Sequence, residues 1–398
     1  MFAAALSGTP LGRRPTVAIL FRAPRRARSI GLLLLGGLLA CQDATTATAD
    51  PRVLWFRPDP SGAAGQPYAD STLAVFTSFN DMRVDAFDAH NGAPRWQVRL
   101  SLPAGAPYAG MPTFGNVAGF QNLLIVPAWD LYGVDRSTGA VRWHLHEPDD
   151  FPGYGSVFVA GGKVYAVGQD LYSVDASTGT VEWRLNLGER PFHPVVTDSV
   201  IYLATRGEVL PGVLGNGHAL ALDAATGTTR WSFAIQDSAT PVNGGSVGPA
   251  FVTDSLVLFA GVNGTVYALD RATGQVRWTY AANDSFEGGV VVVSRTVVVA
   301  GDRGLALGLD LGTGRLLWQG NVVSSVFQPI GSGSDVALVS AGTLFAFDPT
   351  GQLRWQDGGS GNGQAVYSTG ASYANGLVYI GSVSHDAGGP GFYALRAP

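Results

Sequence analysis

VYALDRATGQVRW, residues 266–278, decides how this chain folds. It divides into a short alternating strand at Val266–Leu269, a tight turn at Asp270–Gly274 and a second strand that closes on Trp278. Aspartate suits the start of such a turn because its carboxylate accepts a hydrogen bond from the backbone two residues on. Glycine suits the end, where a hairpin loop of this length needs one left-handed residue.

The same Asp, Gly and Trp recur at Asp88, Gly92 and Trp96, at Asp135, Gly139 and Trp143, and at Asp175, Gly179 and Trp183. They recur again at Asp223, Gly227 and Trp231, at Asp310, Gly314 and Trp318, and at Asp348, Gly351 and Trp355. Successive tryptophans of the seven copies stand 47, 40, 48, 47, 40 and 37 residues apart. Short strands repeating every ~40–50 residues are the signature of β-propeller blades. Ahead of each copy lies a second hairpin of β-branched runs, as in HPVVTDSVIYLAT (193–205) and GGVVVVSRTVVVAG (288–301), so each blade has four strands. An eighth copy is split between the two ends. Phe392–Leu395 matches the first strand of the unit, and Val53–Trp55, with Trp55 standing 41 residues ahead of Trp96, matches the second. An unpaired blade edge would be a template for aggregation. The fold expected is therefore all-β: an eight-bladed propeller of four-stranded antiparallel blades over residues 52–398, closed by the N-terminal strand pairing into the last blade.

Composition agrees with this. Glycine makes up 54 of 398 residues, about twice the usual share, as one tight turn per strand pair requires. Residues 1–41 are different in kind: six arginines and no acid precede an apolar run, Ile30–Ala40. Eleven residues are too few to span a bilayer as a helix, which takes roughly 20, and a basic flank before a short apolar run reads as a secretory signal. The run ends Leu38-Leu39-Ala40-Cys41, which resembles the lipobox of bacterial lipoproteins, and Cys41 is the sole cysteine, so Cys41 is the expected lipidation site. The polar stretch 42–51 then serves as a tether. Without residues 1–41 the chain keeps 19 of its 25 basic residues and all 30 acids, a net charge of −11. That balance disfavours a nucleic-acid partner.

In a propeller the links between blades and those between the middle strands share one face. Here they are long and varied, while the opposite face carries the uniform Asp-x-x-Thr-Gly turns. Variable loops on a regular scaffold are where binding sites are built. The expected partner-binding rim combines acids (Glu147, Asp149, Asp150, Glu189, Asp237, Asp284, Glu287) with aromatics (Phe151, Tyr154, Phe192, Phe286). Three other patterns carry no chemistry. Gly244-Gly245-Ser246-Val247-Gly248 matches G-x-S-x-G but precedes a strand, not the helix a nucleophile elbow needs. His144 and His146 share a strand face without enough further ligands for a metal. Trp55, Trp96, Trp143, Trp183, Trp231, Trp278, Trp318 and Trp355 hold fixed places in every blade and read as structural, so no catalytic residue and no metal site is expected.

The repeat A-x-D-x-x-T-G-x-x-x-W, seen in VYALDRATGQVRW and ALALDAATGTTRW, resembles the quinoprotein (PQQ-type) propeller repeat. Two branches follow from that resemblance. PQQ-dependent dehydrogenases are periplasmic eight-bladed enzymes with calcium at the ring centre, a vicinal disulfide over the quinone and large insertions. A chain with one cysteine and no such insertions departs from them, so neither PQQ nor calcium is expected. The second branch, the BamB-like outer-membrane lipoproteins, is similar in size, blade number and lipobox. It implies a monomeric, non-catalytic scaffold on the periplasmic side of the outer membrane that binds a BamA-like barrel. In that family the gripping loop is rich in Leu and Arg, and the matching link, 236–248, has neither. The alternatives are a PQQ-dependent dehydrogenase-like enzyme and a surface lipoprotein that binds glycan or another protein.

Overall fold

A computed structural model of the chain describes residues 51–78, 81–101, 115–146, 155–210, 213–235, 245–322, 330–332, 336–340, 343–357, 366–367, 369–384 and 390–397. Among them there is no helix, and every strand pairing is antiparallel. The quoted stretch supplies the outer half of one blade: Phe251–Val252, Leu256–Ala260, Thr265–Asp270 and Val276–Ala281 pair in that order. Six more sheets have the same four-strand order, giving blade 1 (residues 63–99), blade 2 (118–145), blade 3 (156–185), blade 4 (190–235), blade 6 (291–321) and blade 7 (330–357), with the quoted sheet as blade 5. Within blade 4 a separate two-stranded hairpin, Glu208–Leu210 with Val213–Leu214, is set between that blade's second and third strands.

The eighth sheet closes the series. Val53–Pro58 pairs with Gly391–Arg396, so the N-terminal strand is the outer strand of the last blade. The sheet departs from four strands in one respect: its innermost strand is broken into Val366–Tyr367 and Ser372–Ala374, both on Leu377–Ser384. Closure is also visible in the packing. Each of eight apolar clusters joins one blade to the next, and the eighth joins blade 8 to blade 1 through Trp55, Phe76, Phe87, Tyr379 and Phe392. Within it Phe76 and Phe392 stack with ring centroids 4.6 Å apart. The connection from Pro58 into blade 1 is tied by Asp59, which is fully buried and meets Arg83 at 2.6 Å. A buried carboxylate left unpaired would be costly, and here the guanidinium and the Ser78 hydroxyl (2.7 Å) satisfy it.

The blade-to-blade contact follows from the repeat itself. In each turn the aspartate accepts backbone N–H bonds, as Asp270 does from Ala272 and Thr273 at 3.0 and 2.9 Å. The glycine that ends it lies at a φ of 66° to 85° in all seven copies, a region open to few other residues. The bare face of that glycine receives the tryptophan of the preceding blade. A methyl added at Gly92, Gly139, Gly179, Gly274, Gly314 or Gly351 would meet an indole at 2.4 to 2.7 Å. The indole N–H of Trp55, Trp96, Trp143, Trp231, Trp278 and Trp318 then donates to the carbonyl just after the next blade's turn aspartate, at 2.7 to 3.2 Å.

Two tryptophans depart from this rule. Trp183 has no N–H partner, and the carbonyl it would use, that of Ala224, accepts from Tyr165 Oη at 3.2 Å. Trp355 faces blade 8, where no Asp-Gly turn joins Gly391–Arg396 to Val53–Pro58, and its N–H also lacks a partner. Arg52 covers that indole at 5.7 Å and pairs with Asp357 at 2.7 Å, so the residue at the head of the N-terminal strand occupies the place of the missing turn.

This geometry separates two glycines that look alike in sequence. Gly314→Ala should lower stability by about 2–4 kcal/mol, from the left-handed backbone and a collision with Trp278. Gly227→Ala should cost only about 1–2 kcal/mol, because its nearest Trp183 atom lies 3.7 Å from the added methyl. Denaturant midpoints of the two variants measure the difference, and equal losses would contradict the packing described.

Candidate functional site

The alternation of strands sorts the chain into two faces with different chemistry. One holds the first–second and third–fourth turns, including all the Asp-Gly turns. Here most charges already have partners. Arg95, Arg142, Arg230, Arg277 and Arg354, each directly before a tryptophan, pair with the turn aspartates of their own blades. Arg136 and Arg271 reach back to the preceding blade, to Asp70 and Asp198. A cleft of about 440 Å³ between blades 4 and 5 is lined by Asp198, Tyr202, Arg230, Asp270 and Arg271, which are engaged in these same pairs. The Asp-Gly face is a bolted surface.

The other face carries the links between blades and the second–third turns, where the partner-binding rim was expected. Glu147, Asp149, Asp150, Phe151, Tyr154 and Asp237 lie outside the described residues, as do Cys41 and the segment before it. The five described rim residues divide by direction. Asp284 points inward: it is 6% exposed, and its carboxylate accepts the N–H groups of Ser285, Arg303 and Leu305 at 2.8, 2.8 and 3.1 Å. Phe286 is fully buried in the cluster between blades 5 and 6. These two hold their loop in place and offer no contact surface.

Glu287, between them and Gly288, is exposed. It lies near Asp302, whose carboxyl is raised above the usual range by burial and then by the Glu287 charge. Glu189 and Phe192 are half-buried. Glu189 meets His218 Nδ1 at 2.9 Å and accepts from Thr205, and Arg190 lies 5.5 Å over the Phe192 ring. Buried carboxylates recur on this face at Asp130, held by His146 at 2.8 Å, and at Asp170, held by Arg184 at 2.5 Å and Asn186 at 2.7 Å. His146 is thus the partner of a second-to-third-strand carboxylate, while His144 stacks on Tyr132 at 6.0 Å. Ser246 is buried and donates to the Ala260 carbonyl at 2.7 Å, which leaves its hydroxyl no nucleophilic role. Among the described residues no group of His, Cys, Asp and Glu could hold a metal ion.

Two features had not been expected. The residue before the tryptophan, arginine in five copies, is a sequence signal that could have revealed the ion pairs with the turn aspartates. The second is His193, on the innermost strand of blade 4, at a bulge where its φ is 37°. Part of its surface stays accessible. The depth of protein around it nonetheless pushes the imidazole down to about 4, so the ring interior holds a neutral imidazole at pH 7.

These groups set the acid response. The turn carboxylates Asp88, Asp135, Asp175, Asp223, Asp310 and Asp348 are all held below the usual range by side-chain and backbone donors. Asp270 falls from 3.8 to about 2, chiefly through Arg277. The unfolded chain therefore takes up these protons first, so the stabilisation is complete above about pH 4 and is lost as pH falls toward 2. His193 adds an earlier step with the same sign, between 6.5 and 4, because its folded value is depressed. Wild-type protein should lose on the order of 2 kcal/mol between pH 7 and pH 5 that His193→Gln retains, read from denaturation at each pH.

A family model described as outer membrane protein assembly factor BamB matches residues 128–281 and 262–388. No curated protein sequence matches the chain. Among solved structures, BamB from Moraxella catarrhalis is similar with a TM-score of 0.56 and 17% identity, covering 77% of this chain and 96% of that one. Quinohemoprotein alcohol dehydrogenase from Comamonas testosteroni is similar with a TM-score of 0.66 and 14% identity, covering 87% and 77%. The C-terminal WD40 domain of Sif2 reaches 0.64 at 12% identity, covering 87% and 98%. An assembly factor, an enzyme and a WD40 domain on one scaffold show the fold alone. The family match extends over more than half of the sequence, and by it the chain belongs to the PQQ-like β-propeller family described as outer membrane protein assembly factor BamB.

Proposed function

We propose that this protein is a non-catalytic scaffold of the cell envelope, lipid-anchored through Cys41 on the periplasmic side of the outer membrane, that serves the assembly of β-barrel proteins. Membership of the assembly-factor family carries the reading, and the contrast between the faces supports it. One face is consumed by blade-to-blade pairing, and the other offers varied links with an exposed acid at Glu287. The chain enters the propeller at Arg52, whose carbonyl accepts the Arg396 N–H, at the Asp-Gly end of the last blade. On this reading the loop face is the one that meets a partner. That partner is a barrel protein of the BamA type, bound through its periplasmic domains.

The enzymatic alternative asks for a pair of adjacent cysteines and a calcium site. The single cysteine of this chain cannot form the adjacent-cysteine disulfide that PQQ dehydrogenases set over the quinone. The described residues also contain no acidic cluster fit for calcium. We therefore propose that neither PQQ nor calcium is bound. Added together they should neither quench the tryptophans nor support alcohol- or sugar-dependent dye reduction, and either signal would overturn the scaffold reading.

The direct test is a cross-linked pull-down of the tagged full-length protein from detergent-solubilised outer membrane, read by mass spectrometry. A barrel with periplasmic domains is the expected catch. Recovery of the protein alone or of unrelated surface proteins would contradict the assembly role. Glu287→Lys should weaken capture about fivefold, equivalent to about 1 kcal/mol, while leaving the thermal midpoint unchanged because the side chain is exposed.

A further inference from the structure

Taken seam by seam, the ring is not uniform. At six of its eight blade-to-blade seams an indole sits on the next blade's turn glycine and donates to the carbonyl after the turn aspartate. The two exceptions are the seam between blades 3 and 4 and the seam between blades 7 and 8.

Between blades 3 and 4 the Trp183 indole stays 3.7 Å from a methyl placed on Gly227, where the six seated indoles come to 2.4 to 2.7 Å. Its N–H has no partner among the described residues. Among those residues one polar bond crosses the Asp-Gly end of this seam, from Tyr165 Oη to the Ala224 carbonyl at 3.2 Å. The matching tyrosine between blades 8 and 1, Tyr379, bonds the Ala89 carbonyl alongside Trp55 and not in its place. At the loop face the seam between blades 3 and 4 stays tied, because Asn186 in the link donates to Asp170 at 2.7 Å and Glu189 accepts from Thr205.

Between blades 7 and 8 no turn glycine receives Trp355. Arg52 crosses instead, paired with Asp357, donating to the Gln356 carbonyl and covering the indole with a side chain that is 36% exposed. An ion pair open to water holds little. Apolar clusters fill both seams, but apolar contact is non-directional, whereas a hydrogen bond fixes position.

Four blades separate these two seams in either direction, blades 4 to 7 on one side and blades 8, 1, 2 and 3 on the other. A closed ring cannot bend at one seam alone, because widening one gap strains the rest. Two seams on one diameter form a hinge axis. We propose that the propeller consists of two rigid halves, blades 4 to 7 and blades 8 with 1 to 3, that rock about the diameter through these seams. The halves part at the Asp-Gly end, and the loop-face link between blades 3 and 4 is the pivot. The motion belongs to the ring and does not depend on which protein the loop face meets.

Double electron–electron resonance tests the hinge in the full-length chain carrying Cys41→Ser, so that no other thiol takes a spin label. Labels are placed by cysteine substitution on the residue after the turn glycine, which is exposed in each blade used. Ala93 with Thr180 lies within one half. Thr180 with Gln275 crosses the seam between blades 3 and 4, and Gln352 with Ala93 crosses the seam between blades 7 and 8. Each pair spans two blades, so the motion of the label itself is common to all three. Both crossing pairs should show distance distributions broader than that of Ala93 with Thr180 and reaching longer separations. Tyr165→Phe, which removes the bond to Ala224, should broaden the Thr180–Gln275 distribution further and leave Ala93–Thr180 as it was. Equal widths in all three pairs, broadening at one seam only, or no response to Tyr165→Phe would each overturn the proposal.

Discussion

The contact between a tryptophan and the bare face of a glycine one blade further on carries this structure. It ties the third–fourth turn of each blade to the outer strand of its neighbour. Its three parts depend on one another. The aspartate fixes the turn through backbone N–H bonds, the turn holds the glycine at positive φ, and the missing side chain makes room for the indole. Because the indole also donates to the carbonyl after the aspartate, the contact sets register as well as distance. With no disulfide available to a chain of one cysteine, the ring depends on such contacts and on the apolar clusters between blades. The closure between blades 8 and 1 obeys the same rule, with Trp55 from the N-terminal strand seated on Gly92.

Much of this was legible in the sequence because it repeats. The Asp, Gly and Trp positions foretold the blades, their number and the splitting of one blade between the chain ends. The five arginines before tryptophans repeat just as plainly, but their pairing with the turn aspartates becomes obvious only once the hairpin is built. The broken inner strand of blade 8 was not anticipated, although Gly370 lies between its two pieces and a glycine inside a strand pattern can mark such an interruption. The rim was legible as a set of loops and not as a set of directions. In Asp284-Ser285-Phe286-Glu287 the first and third residues turn inward and the fourth outward. No period in a loop sequence says so, because the Gly301–Gly304 turn of the next blade decides it by offering N–H groups to Asp284. His193 is similar: a bulge set by the pairing of Phe192 and Val195 brings it to the ring interior.

The two faces give the ring a polarity that bears on its role. All the turn aspartates are held by backbone donors, and five of the seven also pair with an arginine of their own blade, so the charge is balanced within those five hairpins. On the loop face the buried acids are satisfied one by one, Asp130 by His146 and Asp170 by Arg184, and Glu287 is exposed on the surface. A propeller built this way can change its loop face without disturbing what holds the ring together.

The ring is closed by Val53–Pro58 acting as the outer strand of the last blade. Amide hydrogen exchange on the full-length chain tests it most directly. If the strand is paired and Trp55 is seated on blade 1, amides of Val53–Pro58 that bond Gly391–Arg396 exchange as slowly as those within Leu377–Ser384. Rapid exchange across Val53–Pro58 while the rest of blade 8 stays protected would contradict the closure, and with it the account of how the ring is held.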